Sequence, residues 1–101
     1  MITIKARIGR SIKDRTIGLI GHQKAEPILF FTRFGIHTFG LKFPIDVVVL
    51  DEGSRVVKIK ENLTPNNFFF WPIKYNKVLE LPGGFINLAK IKKDSLVKIE
   101  D

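Results

Sequence analysis

The chain has 101 residues, 45% of them hydrophobic, with nine Phe, and carries a formal charge of +7 from 17 Lys and Arg against 10 Asp and Glu. That length makes one domain over residues 1–101 with apolar material for a single core. The absence of cysteine excludes disulfides, thiolate metal sites and a thiol nucleophile, and no apolar run approaches the roughly 18–20 residues of a membrane-spanning helix.

The opening MITIKARIGR lacks the apolar core of a signal peptide, so a cytoplasmic protein with no membrane association is expected. Lys5, Arg7, Arg10, Lys13, Arg15, Lys24 and Arg33 face only Asp14 and Glu26 in the first third, where most of the surplus positive charge therefore sits. Such a bias could serve anionic partners. The charges are scattered singly, which favours a solvated mixed surface; abundant Lys and Ile without Cys also suit a thermophile.

Ile2, Ile4, Ala6 and Ile8 alternate with polar residues as in a half-buried strand, stopped by Gly9. Ser11 to Gly21 reads as a loop or one helical turn anchored by Ile17, Leu19 and Ile20, because Gly18 and Gly21 oppose anything longer. Ile28 to Thr32 is a second short strand. Ile45 to Leu50 is apolar apart from Asp46, too short and too β-branched for a helix, and predicts a buried strand entered from Pro44. DEGS after Leu50 is turn chemistry, and Arg55 to Glu61 is the returning strand of a hairpin. Asn62 to Asn67, around Pro65, is loop; Phe68 to Pro72 is an aromatic cluster too irregular to assign. Lys77 to Leu81 is a strand stopped by Pro82-Gly83-Gly84, Phe85 to Ile91 has helical spacing, and Asp94 to Glu100 alternates again. About seven short strands with one or two helical pieces predict an all-β or β-rich α+β fold, a small partly closed barrel or sandwich.

GLIG, IHTFGLKFPIDVVVLD, Pro65 and VLELPGG, in that order, resemble the successive blocks of domain-of-unknown-function family 192 over nearly the whole chain. The most specific are Pro44-Ile45-Asp46 before an apolar strand and Leu79 to Gly84. The resemblance implies a compact β-rich fold and no established activity. Many relatives carry a Trp-Met pair where this chain has His37 to Leu41, a Met in place of Ile20, and a preceding secretion signal.

Asp46 shares a strand face with Val48 and Leu50, where a carboxylate must be hydrogen-bonded, paired or neutralised. It either accepts backbone N–H groups from the Phe39–Phe43 turn and fixes the strand entry, or acts on a ligand as a strand-end acid. Glu80 is either an edge-strand charge, paired with a cation such as Lys58 or Lys42, or the second member of a carboxylate pair with Asp46. His37 has a turn or packing role, or a site role. With His22 it makes no metal-ligand spacing, so no metal and no cofactor is expected. Phe68 to Trp71 either closes the end of a barrel, with Trp71 the most exposed, or stacks on sugar rings or bases. Pro82-Gly83-Gly84 lacks the Lys-Ser/Thr of a phosphate loop and lets the backbone turn or approach a ligand.

Together these residues predict a non-enzymatic binding module. Its shallow groove would be walled by His37, Phe39, Lys42, Asp46, Trp71, Glu80 and Gly83, for a small polar molecule, a glycan or a peptide. The alternative is a hydrolase-like enzyme using Asp46 and Glu80 with His37 assisting. Nucleic-acid binding through the basic N-terminal third is the weakest reading, because charges and aromatics do not interleave along the chain.

Overall fold

A computed structural model describes residues 1–9 and 26–101; the predicted Ser11–Gly21 turn and His22 lie outside them. The elements in order are β1 (Ile2–Lys5), β2 (Arg7–Ile8), β3 (Ile28–Phe31), β4 (Gly35–His37), β5 (Ile45–Leu50), β6 (Val56–Leu63), β7 (Phe68–Phe70), β8 (Lys77–Pro82), α1 (Phe85–Ala89) and β9 (Val97–Glu100). The fold is β-rich α+β with one short helix among the described residues, and its sheets do not close into a barrel. No helix among the described residues is long and apolar enough to cross a membrane.

The centre is a mixed five-stranded sheet in the order β2-β3-β8-β5-β6. All six β5 residues are buried, as a strand covered on both faces must be. Its near-continuous apolar run follows from that position rather than from the alternation of a half-exposed strand. Alternate side chains then feed two separate cores. On one face Val47, Val49, Val78, Ile28 and Phe30 pack with Ile36, Leu41, Phe43, Phe69 and Trp71. On the other Val48, Leu50, Leu79 and Leu81 pack with Ile4, Ala6, Val97, Ile86 and Ile91.

Each face has its own two-stranded cover. The parallel pair β1-β9, in register from Ile2 opposite Val97 to Lys5 opposite Glu100, lies with α1 on the second face. The antiparallel ribbon β4-β7 lies on the first, pairing Gly35 with Phe70, Ile36 with Phe69 and His37 with Phe68. Neither ribbon strand is legible in the sequence. Three residues give too short a period to recognise, and Phe68 directly follows the turn-forming Pro65-Asn66-Asn67. The predicted N-terminal strand also divides at Ala6, whose N–H donates to the Glu100 carbonyl at 2.8 Å before the chain crosses to pair with β3.

Candidate functional site

The two sequence blocks singled out above meet in space. β5 and β8 are antiparallel neighbours with Ile45 opposite Pro82 and Asp46 opposite Leu81. Gly83 packs so tightly that a Cβ there would stand 3.3 Å from the Pro44 carbonyl oxygen. What they build is a clasp. The fully buried Asp46 carboxylate accepts the Asn62 N–H on Oδ1 and the Ile86 N–H on Oδ2, both at 2.9 Å.

Each bond answers a local deficit. Between Ile45–Leu63 and Val47–Lys60 the register slips, so Glu61 and Asn62 both face Asp46, a bulge with Asn62 at φ 54°. The bulge leaves the Asn62 N–H outside the ladder, and Oδ1 takes it. At α1 the N-cap is Gly84, which has no side chain to cap with; Oδ2 serves instead. The donors come from Asn62 and Ile86, not from the Phe39–Phe43 turn expected from sequence.

Glu80 is also fully buried, but β8 is a central strand between β3 and β5, not an edge. Its register partners are Ile28 and Val47, on the face opposite Asp46. The paired-carboxylate arrangement is therefore corrected: directly opposed residues of adjacent strands point the same way, so the sheet backbone separates the two acids. Lys58, one expected partner of Glu80, instead donates to the Phe70 carbonyl at 2.7 Å.

Trp71 does not wall a groove either. It is 5% exposed, in the core between sheet and ribbon, where its indole N–H donates to the Tyr75 carbonyl at 3.0 Å. The exposed aromatics are its neighbours. Phe68, Phe70, Phe34 and Phe39 are 57%, 54%, 61% and 43% exposed. They form a continuous row: Phe34 meets Phe70 edge-on at 6.4 Å, Phe70 stacks on Phe68 at 5.7 Å, Phe68 meets Phe39 edge-on at 5.0 Å, and Phe39 stacks on His37 at 5.0 Å.

The backbone is shaped around this row. Phe68, Phe70 and His37 share the outer face of the ribbon while Ile36 and Phe69 share the inner one. Gly35 stands opposite Phe70, where a Cβ would fall 2.5 Å from Phe70 Cδ1 and 2.7 Å from the Phe69 carbonyl oxygen. Phe34 holds φ 87°, a left-handed conformation that costs a bulky residue about 1–3 kcal/mol. Thr38, fully buried, closes one end of the ribbon: its hydroxyl donates to the Thr64 carbonyl at 2.7 Å and accepts the Asn67 N–H at 2.9 Å. The Trp71 N–H donates to the Phe34 carbonyl at the other end. His37 accepts the Phe39 N–H on Nδ1 at 3.2 Å, a turn role that also sets the His37–Phe39 stack.

The seven predicted residues thus divide three ways. His37 and Phe39 belong to the aromatic row, with Lys42 exposed three residues on; Trp71 and Glu80 are interior; Asp46 and Gly83 form the clasp. Sequence reasoning missed Phe34 and Thr38, and reached Phe68 and Phe70 only as part of the Phe68 to Trp71 run, from which it took Trp71 for the groove. A period-2 reading of Phe68 to Trp71 would have separated Phe68 and Phe70 from Phe69 and Trp71. A depression of about 200 Å³ adjoins the row, lined by Lys60, Asn62, Thr64, Asn67 and Phe68. Larger ones over Asp51–Tyr75, about 390 Å³, and over Ile86–Lys92, about 430 Å³, contain none of the predicted residues.

Residues 2–99 match the DUF192 family, described as an uncharacterized ACR, and the chain belongs to that family. No curated protein matches it. Two crystal structures share the fold. A protein of unknown function from Novosphingobium aromaticivorans DSM 12444 superposes with a TM-score of 0.76 at 19% identity, over 88% of this chain and 70% of that one. A candidate transcription regulator from Sinorhizobium meliloti 1021 superposes with a TM-score of 0.75 at 17% identity, over 86% and 74%. At such identities the likeness concerns the fold alone.

Proposed function

We propose that the chain is a non-enzymatic binding module whose binding face is the aromatic row on the outer side of β4-β7. The observation that carries this reading is the row itself: four phenylalanines, each 43% exposed or more, in contact with one another on a backbone that Gly35 and the strained Phe34 adapt to them. Contiguous exposed aromatic surface opposes solubility and marks interaction sites. A ligand with flat or apolar faces recovers that cost by covering the rings, as sugar rings and peptide side chains both do. Asp46 and Glu80 lie on opposite faces of the sheet and both Asp46 oxygens accept backbone N–H groups, which supports binding over hydrolysis by that pair.

The test is a ligand screen on wild type and on the Phe68→Ala/Phe70→Ala variant, using cello-, chito- and malto-oligosaccharides, a displayed library of short peptides and single-stranded oligonucleotides. Both side chains are more than half exposed, so the variant should keep its melting temperature within a few degrees. Retention of one ligand class by wild type and its loss by the variant is expected. If wild type holds none of these, or holds them with no dependence on Phe68 and Phe70, the reading fails.

A further inference from the structure

The aromatic row is built from two acid-free stretches of sequence. No Asp or Glu occurs between Glu26 and Asp46 or between Glu61 and Glu80, the two stretches that supply all five rings. Two lysines approach it instead. Lys58 donates to the Phe70 carbonyl oxygen at 2.7 Å and Lys60 lines the depression beside Phe68; the exposed Arg33 precedes Phe34 in sequence and donates to the Ile73 carbonyl at 2.8 Å, and the exposed Lys42 follows Phe39 by three residues. Lys58 and Lys60 stand opposite Val49 and Val47, on the ribbon side of the sheet. Glu61, between Lys60 and Asn62 in sequence, lines a cavity with Ile86 and Lys90 on the other side. Charges and aromatics that do not interleave along the chain are thus brought side by side at Lys58, Lys60, Phe68 and Phe70.

We propose that this face is a stacking platform for single-stranded nucleic acid, with bases on the exposed rings and phosphates against Lys58, Lys60, Arg33 and Lys42. The proposal rests on the binding-module reading and names its ligand. An exposed ring offers a π face to any unpaired base, and nearby cations neutralise the backbone. The depression of about 200 Å³ beside Phe68 is below the roughly 300–1,000 Å³ of drug-sized sites and suits one heterocycle, with the polar residues Lys60, Asn62 and Asn67 in its lining. An anionic membrane would also meet the charge and the phenylalanines. It has no use for that polar recess, and the rings lie against one another along a ribbon rather than projecting singly.

Fluorescence anisotropy with labelled single-stranded oligo-dT and oligo-U tests this on the full chain, beside the same-length duplex, dextran sulfate and phosphatidylglycerol vesicles. Single strands should bind at least tenfold more tightly than duplex. Phe68→Ala and Phe70→Ala should each weaken binding by about 5- to 150-fold, the range of one lost base–aromatic stack. Four phosphate contacts at a slope of about −0.7 each predict a roughly 50-fold loss between 50 and 200 mM salt. Far-UV circular dichroism and Trp71 emission confirm that the variants are folded. Equal binding of duplex or dextran sulfate, or no effect of the phenylalanine substitutions, overturns the proposal, as does vesicle binding without oligonucleotide binding. If oligonucleotides fail while a glycan or peptide is held in a Phe68/Phe70-dependent way, the ligand class is wrong and the binding face stands. If no ligand depends on these rings, both readings fall.

Discussion

Replacing Asp46 separates a structural acid from a ligand-handling one. Both carboxylate oxygens accept backbone N–H groups at 2.9 Å, from the β6 bulge and from the uncapped start of α1. Asparagine keeps one oxygen and turns an NH₂ towards the second N–H. One buried donor then loses its acceptor, at about 1–3 kcal/mol, and a charge-assisted bond becomes a neutral one. A total of about 2–3 kcal/mol follows for Asp46→Asn. Alanine strands both donors and opens space between β5, β6 and α1, costing about 3–5 kcal/mol. Against a stability of about 5–15 kcal/mol for a domain of this kind, the alanine chain is close to unfolding, so asparagine is the informative change. At about 4–8 °C per kcal/mol, its melting temperature should fall by roughly 8–24 °C. Urea unfolding followed by the emission of the buried Trp71 measures the loss. Native-state amide exchange should accelerate at Asn62 and Ile86 more than at Val48 in the middle of β5. A loss below about 0.5 kcal/mol, or exchange at those two amides that keeps its wild-type rate, would refute the clasp.

Three further substitutions probe the ribbon. Gly35→Ala places a methyl 2.5 Å from Phe70 Cδ1 and 2.7 Å from a backbone oxygen, so overpacking should cost about 1–3 kcal/mol and displace the Phe70 ring, visible as a chemical-shift change along the aromatic row. Thr38→Val preserves shape but leaves the Asn67 N–H and the Thr64 carbonyl without the hydroxyl; about 2–3 kcal/mol and faster proteolysis within residues 64–67 should follow, and an unchanged cleavage rate would argue against the anchor. Trp71→Phe removes the indole donor to Tyr75 and should cost about 1–3 kcal/mol in urea unfolding followed by far-UV circular dichroism.

Strands were legible where burial imposes a pattern. Ile45–Leu50 emerges as read because a strand covered on both faces must be apolar throughout. Lys77–Pro82 and Val56–Leu63 fall within a few residues of their predicted bounds for related reasons. The ribbon strands were illegible because three residues do not establish a period, and because Gly35, a strand breaker by propensity, is selected by its cross-strand partner Phe70. Propensity describes one residue at a time. The collision that makes glycine necessary exists only once Phe70 is opposite.

The candidate site failed differently. The acid at Asp46 was visible as an anomaly in an apolar strand, but sequence offers no means of telling whether an anomaly serves a ligand or the backbone. Its answer lies in the Asn62 bulge and the side-chain-free Gly84, two donors that no local pattern announces. A single groove walled by Asp46, Trp71 and Glu80 requires the three side chains to converge. The register instead sends Asp46 to one face of the sheet and Glu80 to the other, and inserts Trp71 beneath the ribbon. Alternation along β5 and β8 decides this, because Val47 and not Asp46 is the residue opposite Glu80. The same register argument, applied to β7, turns Phe68 and Phe70 outward when Phe69 turns in. Pairing geometry thus buries both acids and turns Phe68 and Phe70 outward, and the proposed binding face lies on the ribbon for that reason.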